Sequence, residues 1–75
     1  MKNATLAAIA ALLGDGLLEY YGAVQHINLA TVAIDLDDKA KVGEQEARKM
    51  VARAVRLARS GRTPQEIRFL VGVTM

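Results

Sequence analysis

The chain has 75 residues, of which 52% are hydrophobic and 24% are charged, as in a globular protein rather than a disordered one. This length allows a single domain over residues 1–75, without a second core. The absence of cysteine excludes a disulfide framework, a thiolate metal site and a cysteine nucleophile. The single histidine, His26, supplies too few nitrogen ligands for a zinc site of the usual kind, so we predict neither a metal nor a cofactor.

The first predicted element is an apolar helix over residues 3–13. Alanine and leucine dominate it, Asn3 is a candidate N-cap and Gly14 is placed to end it. Because the helix is apolar around most of its circumference, we expect it to be buried on several sides, at the centre of the fold or against a partner chain.

The same segment, preceded by Lys2, loosely imitates a secretory signal. No convincing cleavage site follows it, and Asp15 and Glu19 interrupt any stretch long enough to span a bilayer. We therefore predict a cytoplasmic protein without a membrane association.

The segment over residues 17–36 fits two patterns. A helical stripe runs from Leu17 to Ile34, whereas Val32, Ile34 and Leu36 alternate at the spacing of a strand. Five β-branched side chains between residues 24 and 34 favour the strand.

We accordingly predict a small sheet in this part of the chain. A short helix or strand over residues 17–23 precedes a strand over residues 26–36. A turn at residues 37–39 then leads to a brief return strand at residues 40–42.

The clearest element is a long amphipathic helix over residues 44–60. Its apolar residues recur every three or four positions, from Ala47 to Ala58, and Gly61 is placed to end it. Six positive charges and no negative ones lie between residues 48 and 62. These candidate partner-binding residues are Arg48, Lys49, Arg53, Arg56, Arg59 and Arg62.

Residues 63–74 also fit two structures. Thr63, Pro64 and Glu66 form the pattern of a capping box, which predicts a helix from Pro64 to about Val71 that Gly72 ends. The alternation of apolar side chains after Glu66 favours a strand instead, since an isolated two-turn helix has little stability of its own. We predict one helical turn at residues 64–66 that leads into a strand.

This stretch resembles the second helix and turn of a helix-turn-helix domain over about twelve residues, with Ile67, Val71 and Gly72 among the matching core and turn positions. It departs from that family at Arg68, where a small residue normally lets two helices approach. The sequence given also stops at Met75, before a recognition helix. We therefore expect no base readout by this route.

Together these elements predict an α+β fold in which the N-terminal helix and the long basic helix over residues 44–60 pack on a small β-sheet. The alternative is an all-α bundle of four helices. The apolar N-terminal half and the expected sheet edge also predict a homodimer.

Other candidate sites have weaker support. The carboxylates of Asp35, Asp37 and Asp38 could attract a cation, but they lack the pattern of a calcium loop and fit a solvated turn better. His26 with Asp35 or Glu19 could suggest acid–base chemistry, but no serine lies nearby. We predict no enzymatic activity and no small-molecule substrate.

The functional prediction is therefore a small regulatory protein, of the inhibitor or adaptor type, that binds the surface of another macromolecule. The one-sided basic helix, together with more apolar surface than one small core can bury, favours a protein partner over DNA. Since no aromatic residue is interleaved with the charges, recognition of a single strand by stacking is disfavoured. The alternative is a small DNA-binding transcriptional regulator that uses the basic helix and the partial helix-turn-helix.

Overall fold

A computed structural model describes residues 2–72, and these residues form five α-helices and one short 3₁₀ helix. The α-helices are α1 (Lys2–Leu13), α2 (Leu18–Ala23), α3 (Leu29–Ala40), α4 (Glu44–Arg59) and α5 (Pro64–Val71), and the 3₁₀ helix (Asp15–Leu17) lies between α1 and α2. No strand occurs within this part of the chain.

The predicted α+β fold is therefore wrong, and the all-α alternative fits, with five helices in place of four. The strand predicted over residues 26–36 is replaced by α3, which Asn28 begins by accepting a hydrogen bond from the Ala30 backbone N–H at 2.9 Å. The turn at residues 37–39 lies inside α3. The predicted return strand at residues 40–42 is absent: Ala40 ends α3, and the connection to α4 begins with Lys41, which adopts a left-handed conformation with φ 58°.

The C-terminal strand is also wrong, and the capping-box helix is confirmed. The Thr63 hydroxyl accepts from the Glu66 backbone N–H at 3.2 Å, while the Glu66 carboxylate accepts from the Thr63 backbone N–H at 3.0 Å. Pro64 occupies the first turn of α5, and Gly72 ends the helix with φ 89°, a conformation that favours glycine. The last part of the predicted strand, residues 73–74, lies outside the described residues.

Helix α1 lies at the centre of the fold and packs against all four other α-helices. Its buried residues include Ile9 and Leu12, both fully inaccessible to solvent. The prediction of a helix buried on several sides is confirmed, although Asn3 lies within α1 rather than at its cap. The other helices contribute Tyr21, Leu36, Val51 and Ile67, among others, to the same core.

Two cationic side chains bind the carboxyl-terminal end of α1. The Lys39 ammonium of α3 donates to the Leu13 carbonyl at 3.0 Å. The Arg68 guanidinium of α5 donates to the carbonyls of Ala11 and Ala10 at 3.2 and 3.5 Å. Because the last carbonyls of a helix lack partners within it and carry its negative dipole, both contacts join α1 to its neighbours.

Tyr21 links α2 to α3 through a hydrogen bond from its hydroxyl to the Asp35 carboxylate. The phenol is almost wholly buried and its ring stacks edge to face with Tyr20. Burial, and then the Asp35 carboxylate, raise the pKa of Tyr21 well above its usual value, since both disfavour the phenolate.

Helix α4 forms as predicted and ends at Arg59, with Ser60 as its C-cap. It does not pack on a sheet: its apolar face lies on α1 and it contacts α3 and α5 on its two flanks. The Asp37 carboxylate accepts from the Gly43 backbone N–H at 2.7 Å and so fixes the connection that leads into α4. Contacts with α1, α3 and α5 thus hold α4 in place and leave its outward side exposed.

Candidate functional site

The exposed side of α4 carries the basic residues that the sequence singled out, and we call this surface the basic face. All of its members are solvent-exposed. The basic face consists of Arg48, Lys49, Arg53, Arg56, Arg59 and, just beyond the helix, Arg62.

The two ends of the basic face are partly neutralised by carboxylates of the same chain. Arg48 pairs with Glu44 at 3.3 Å, and Arg62 pairs with Glu66 at the same distance. The hydrogen bond from the Thr63 backbone N–H, and then that from Arg62, hold the pKa of Glu66 below its usual range. Both ion pairs are exposed, so each contributes little to stability, but each lowers the charge available to a partner.

The middle of the basic face is not neutralised in this way. Lys49, Arg53, Arg56 and Arg59 form no ion pair with a carboxylate of the described residues. They are spaced three or four positions apart along α4, so like charges lie one above another on the helix surface. Such spacing costs a few tenths of a kcal/mol per pair, and an anionic partner would relieve it.

A groove between α4 and α5 runs along one flank of these charges. One part of it, about 340 Å³, is lined by Lys49, Arg53 and Arg56 of α4, by the acidic side chain of Glu46, and by Val71 of α5. A second part, about 280 Å³, is lined by Arg53 and Arg56 together with Leu57 and Leu70. Because the two parts share both arginines, cationic and apolar side chains face the same space.

Two apolar side chains of α5 are exposed in this region of the sequence. Phe69 is 85% exposed and Leu70 is 45% exposed, whereas Ile67 on the same helix is fully buried. Aromatic and arginine side chains are enriched among the residues that dominate protein interfaces. Of the two, Leu70 lines the groove beside Arg53 and Arg56, so the basic face adjoins an apolar side chain of α5.

The other flank of α4 has a different character. A depression of about 220 Å³ between α3 and α4 is lined by Leu29, Ala30, Val51, Ala52 and Arg48. The arginine at this depression is the one that pairs with Glu44. An anionic partner would consequently find less free positive charge on the α3 side of α4 than on the α5 side.

The remaining candidates are dispersed by the fold. Asp35 and Asp37 bind Tyr21 and the Gly43 backbone respectively, while Asp38 is exposed. His26 is exposed at a depression of only about 90 Å³. Within residues 2–72 no group of three or more histidine, aspartate or glutamate side chains is arranged to hold a metal ion.

The basic residues could be assigned to one surface from the sequence alone, but the apolar part of the site could not. Leu70 and Val71 were assigned to a strand, which hid their position beside α4. The capping box at Thr63 was the available signal, because the helix that starts there places Leu70 and Val71 of its last turn beside Arg53.

Comparison with protein-family models finds no match, and no curated protein or solved structure is significantly similar to the chain. No helix within residues 2–72 is both long enough and apolar enough to cross a membrane.

Proposed function

We propose that this chain is a small, non-enzymatic regulatory protein of the inhibitor or adaptor type, located in the cytoplasm, that binds an acidic surface of another protein through the basic face of α4. The observation that carries this proposal is the group of four exposed cations, Lys49, Arg53, Arg56 and Arg59, without a carboxylate partner among the described residues. Charge complementarity of this kind steers association and selects the partner.

Two features favour a protein over a nucleic acid as the partner. The exposed side chain of Leu70 adjoins the basic face, and a phosphate backbone offers no apolar surface for it. In addition, the first turn of α5 carries Glu66, which would repel phosphate, and Arg68 is engaged with the carbonyls of α1. Helix α5 is therefore poorly equipped to contact a phosphate backbone.

The experiment compares the wild-type chain with charge-reversal variants as baits in nuclease-treated lysate. Arg53→Glu and Arg56→Glu should each weaken capture of a discrete protein partner by about tenfold or more, because each removes a contact and adds a repulsive one. Lys41→Glu is the matched control, since it makes the same change in charge at an exposed residue outside the basic face. Circular dichroism of each variant checks that the helices persist.

Two results would contradict the proposal. If capture depends on nucleic acid, and purified chain binds duplex DNA with an affinity that falls steeply between about 50 and about 200 mM salt, the DNA-binding alternative holds. If Arg53→Glu and Arg56→Glu retain as much partner as Lys41→Glu, the basic face is a solvated surface without a binding role.

A further inference from the structure

The groove between α4 and α5 has a specific combination of side chains. Leu57, Leu70 and Val71 supply apolar surface, and Arg53 and Arg56 stand at the same groove. Glu46 also lines it, but neither arginine forms an ion pair with a carboxylate of the described residues. A uniformly acidic ligand would satisfy the arginines but leave the leucines in water. A uniformly apolar ligand would bury the arginines without a counter-charge, which is unfavourable.

The spacing of the two arginines adds a geometric condition. Arg53 and Arg56 are three positions apart on α4, which places them about 4.5 Å apart along the helix axis. Carboxylates three or four positions apart on a helical ligand have a similar rise, and the planar guanidinium group can bind a carboxylate with two parallel hydrogen bonds. The opposite side of such a ligand helix would be free to carry apolar residues.

We propose that this groove binds an amphipathic, acidic helical segment of the partner protein. Carboxylates on the segment pair with Arg53 and Arg56, and a large apolar side chain of the segment packs between Leu57 and Leu70. This inference rests on the proposed function and narrows it from an acidic protein surface to one class of segment and one flank of α4. The depression on the other flank does not meet the same condition, because Arg48 is paired with Glu44.

The test is a selection from a phage-displayed library of random peptides, with the purified full chain as bait. The bait is used in four forms: wild type, Arg53→Glu/Arg56→Glu, Leu70→Ala and Ile34→Ala. Leu70 and Ile34 are 45% and 49% exposed, so both truncations should leave the fold intact, and Ile34 lies on α3 away from the groove. Isothermal titration with synthetic copies of the enriched peptides then measures the affinities.

The expected result is enrichment of peptides that combine carboxylates at helical spacing with a large apolar residue. Their affinity should fall by about tenfold or more for Leu70→Ala and for the double charge reversal, and by less than about twofold for Ile34→Ala. A peptide whose apolar residue is replaced by alanine should bind the Leu70→Ala bait as tightly as it binds the wild-type bait. This is expected if the apolar residue contacts Leu70 directly, because the contact is already lost.

Other results separate the inference from the function on which it rests. Enrichment of acidic peptides that bind Leu70→Ala as well as wild type would overturn the inference while leaving the proposed function intact. Enrichment of apolar peptides that ignore the charge reversals, or no enrichment above an empty support, would also overturn the inference. The proposed function falls only if the charge reversals leave capture of the partner from lysate unchanged.

Discussion

The contact between Arg68 and the end of α1 gives the most direct test of how the helices are held together. Methionine at position 68 keeps much of the apolar stem but removes the charge and every hydrogen-bond donor. The guanidinium lies 3.2 Å from the Ala11 carbonyl and 3.5 Å from that of Ala10, and the second distance is at the limit for a hydrogen bond. We therefore count one full hydrogen bond from a charged donor.

A hydrogen bond to a charged group contributes about 1.5–3 kcal/mol, and the half-buried position of Arg68 places it at the lower end. We expect Arg68→Met to lower the free energy of unfolding by about 1.5–2 kcal/mol. In a domain of this size the corresponding fall in Tm is roughly 6–16 °C. This loss is a large fraction of the total stability, which for a chain of this length is on the order of 4–11 kcal/mol.

Urea unfolding followed by circular dichroism measures the change, with thermal unfolding as a second readout. Arg59→Met is the matched control, because Arg59 is exposed and makes no ion pair with the described carboxylates; it should change stability by less than about 0.5 kcal/mol. Arg68→Lys should recover part of the loss, since it keeps the charge without the guanidinium fork. Equal effects of Arg68→Met and Arg59→Met would refute the assignment of Arg68 to the α1 terminus.

Three further predictions concern the same scaffold. Lys39→Met should cost about 1 kcal/mol, and its combination with Arg68→Met should be non-additive in a double-mutant cycle, because both cations bind the same helix end. The free energy of unfolding should fall as the pH rises above about 10, because tyrosine ionises there in the unfolded chain while Tyr21 in the fold stays neutral with its raised pKa. Urea denaturation at several pH values should show this fall in Tyr20→Phe but not in Tyr21→Phe. Thr63→Ala should cost about 1 kcal/mol by removing the α5 cap, as read from urea midpoints, and an unchanged midpoint would contradict the capping assignment.

The sequence was sufficient for α1 and α4 because their composition and periodicity agree with their positions in the fold. It misled over residues 26–36, where β-branched residues at alternate positions outweighed the helical signal. In the structure Val32 and Leu36 are buried one turn apart, while Ile34 between them is 49% exposed. The period-two pattern was therefore coincidental, and the N-cap at Asn28 was the informative residue.

The candidate site was predicted in part for a similar reason. Arg53 and Arg56 could be assigned to one surface because both belong to a single helix with a strong period. Leu70 lies beside these arginines only because α5 packs against α4. That packing depends on contacts between residues far apart in the sequence, which a local pattern does not reveal. Arg68, which appeared to disfavour close helix packing, instead joins α5 to α1 by its hydrogen bonds.

The hydrogen bond between Arg68 and Ala11 has a consequence for the order of folding. It joins residues separated by 57 positions, so forming it closes a loop of most of the chain and carries a larger entropic cost than any single helical turn. The individual helices can form locally in about a microsecond or less, whereas this contact needs α1 and α5 both in place. We therefore expect Arg68→Met to accelerate unfolding and to leave the refolding rate nearly unchanged. The contact between α5 and the end of α1 would thus determine the lifetime of the native state more than the rate at which the chain folds.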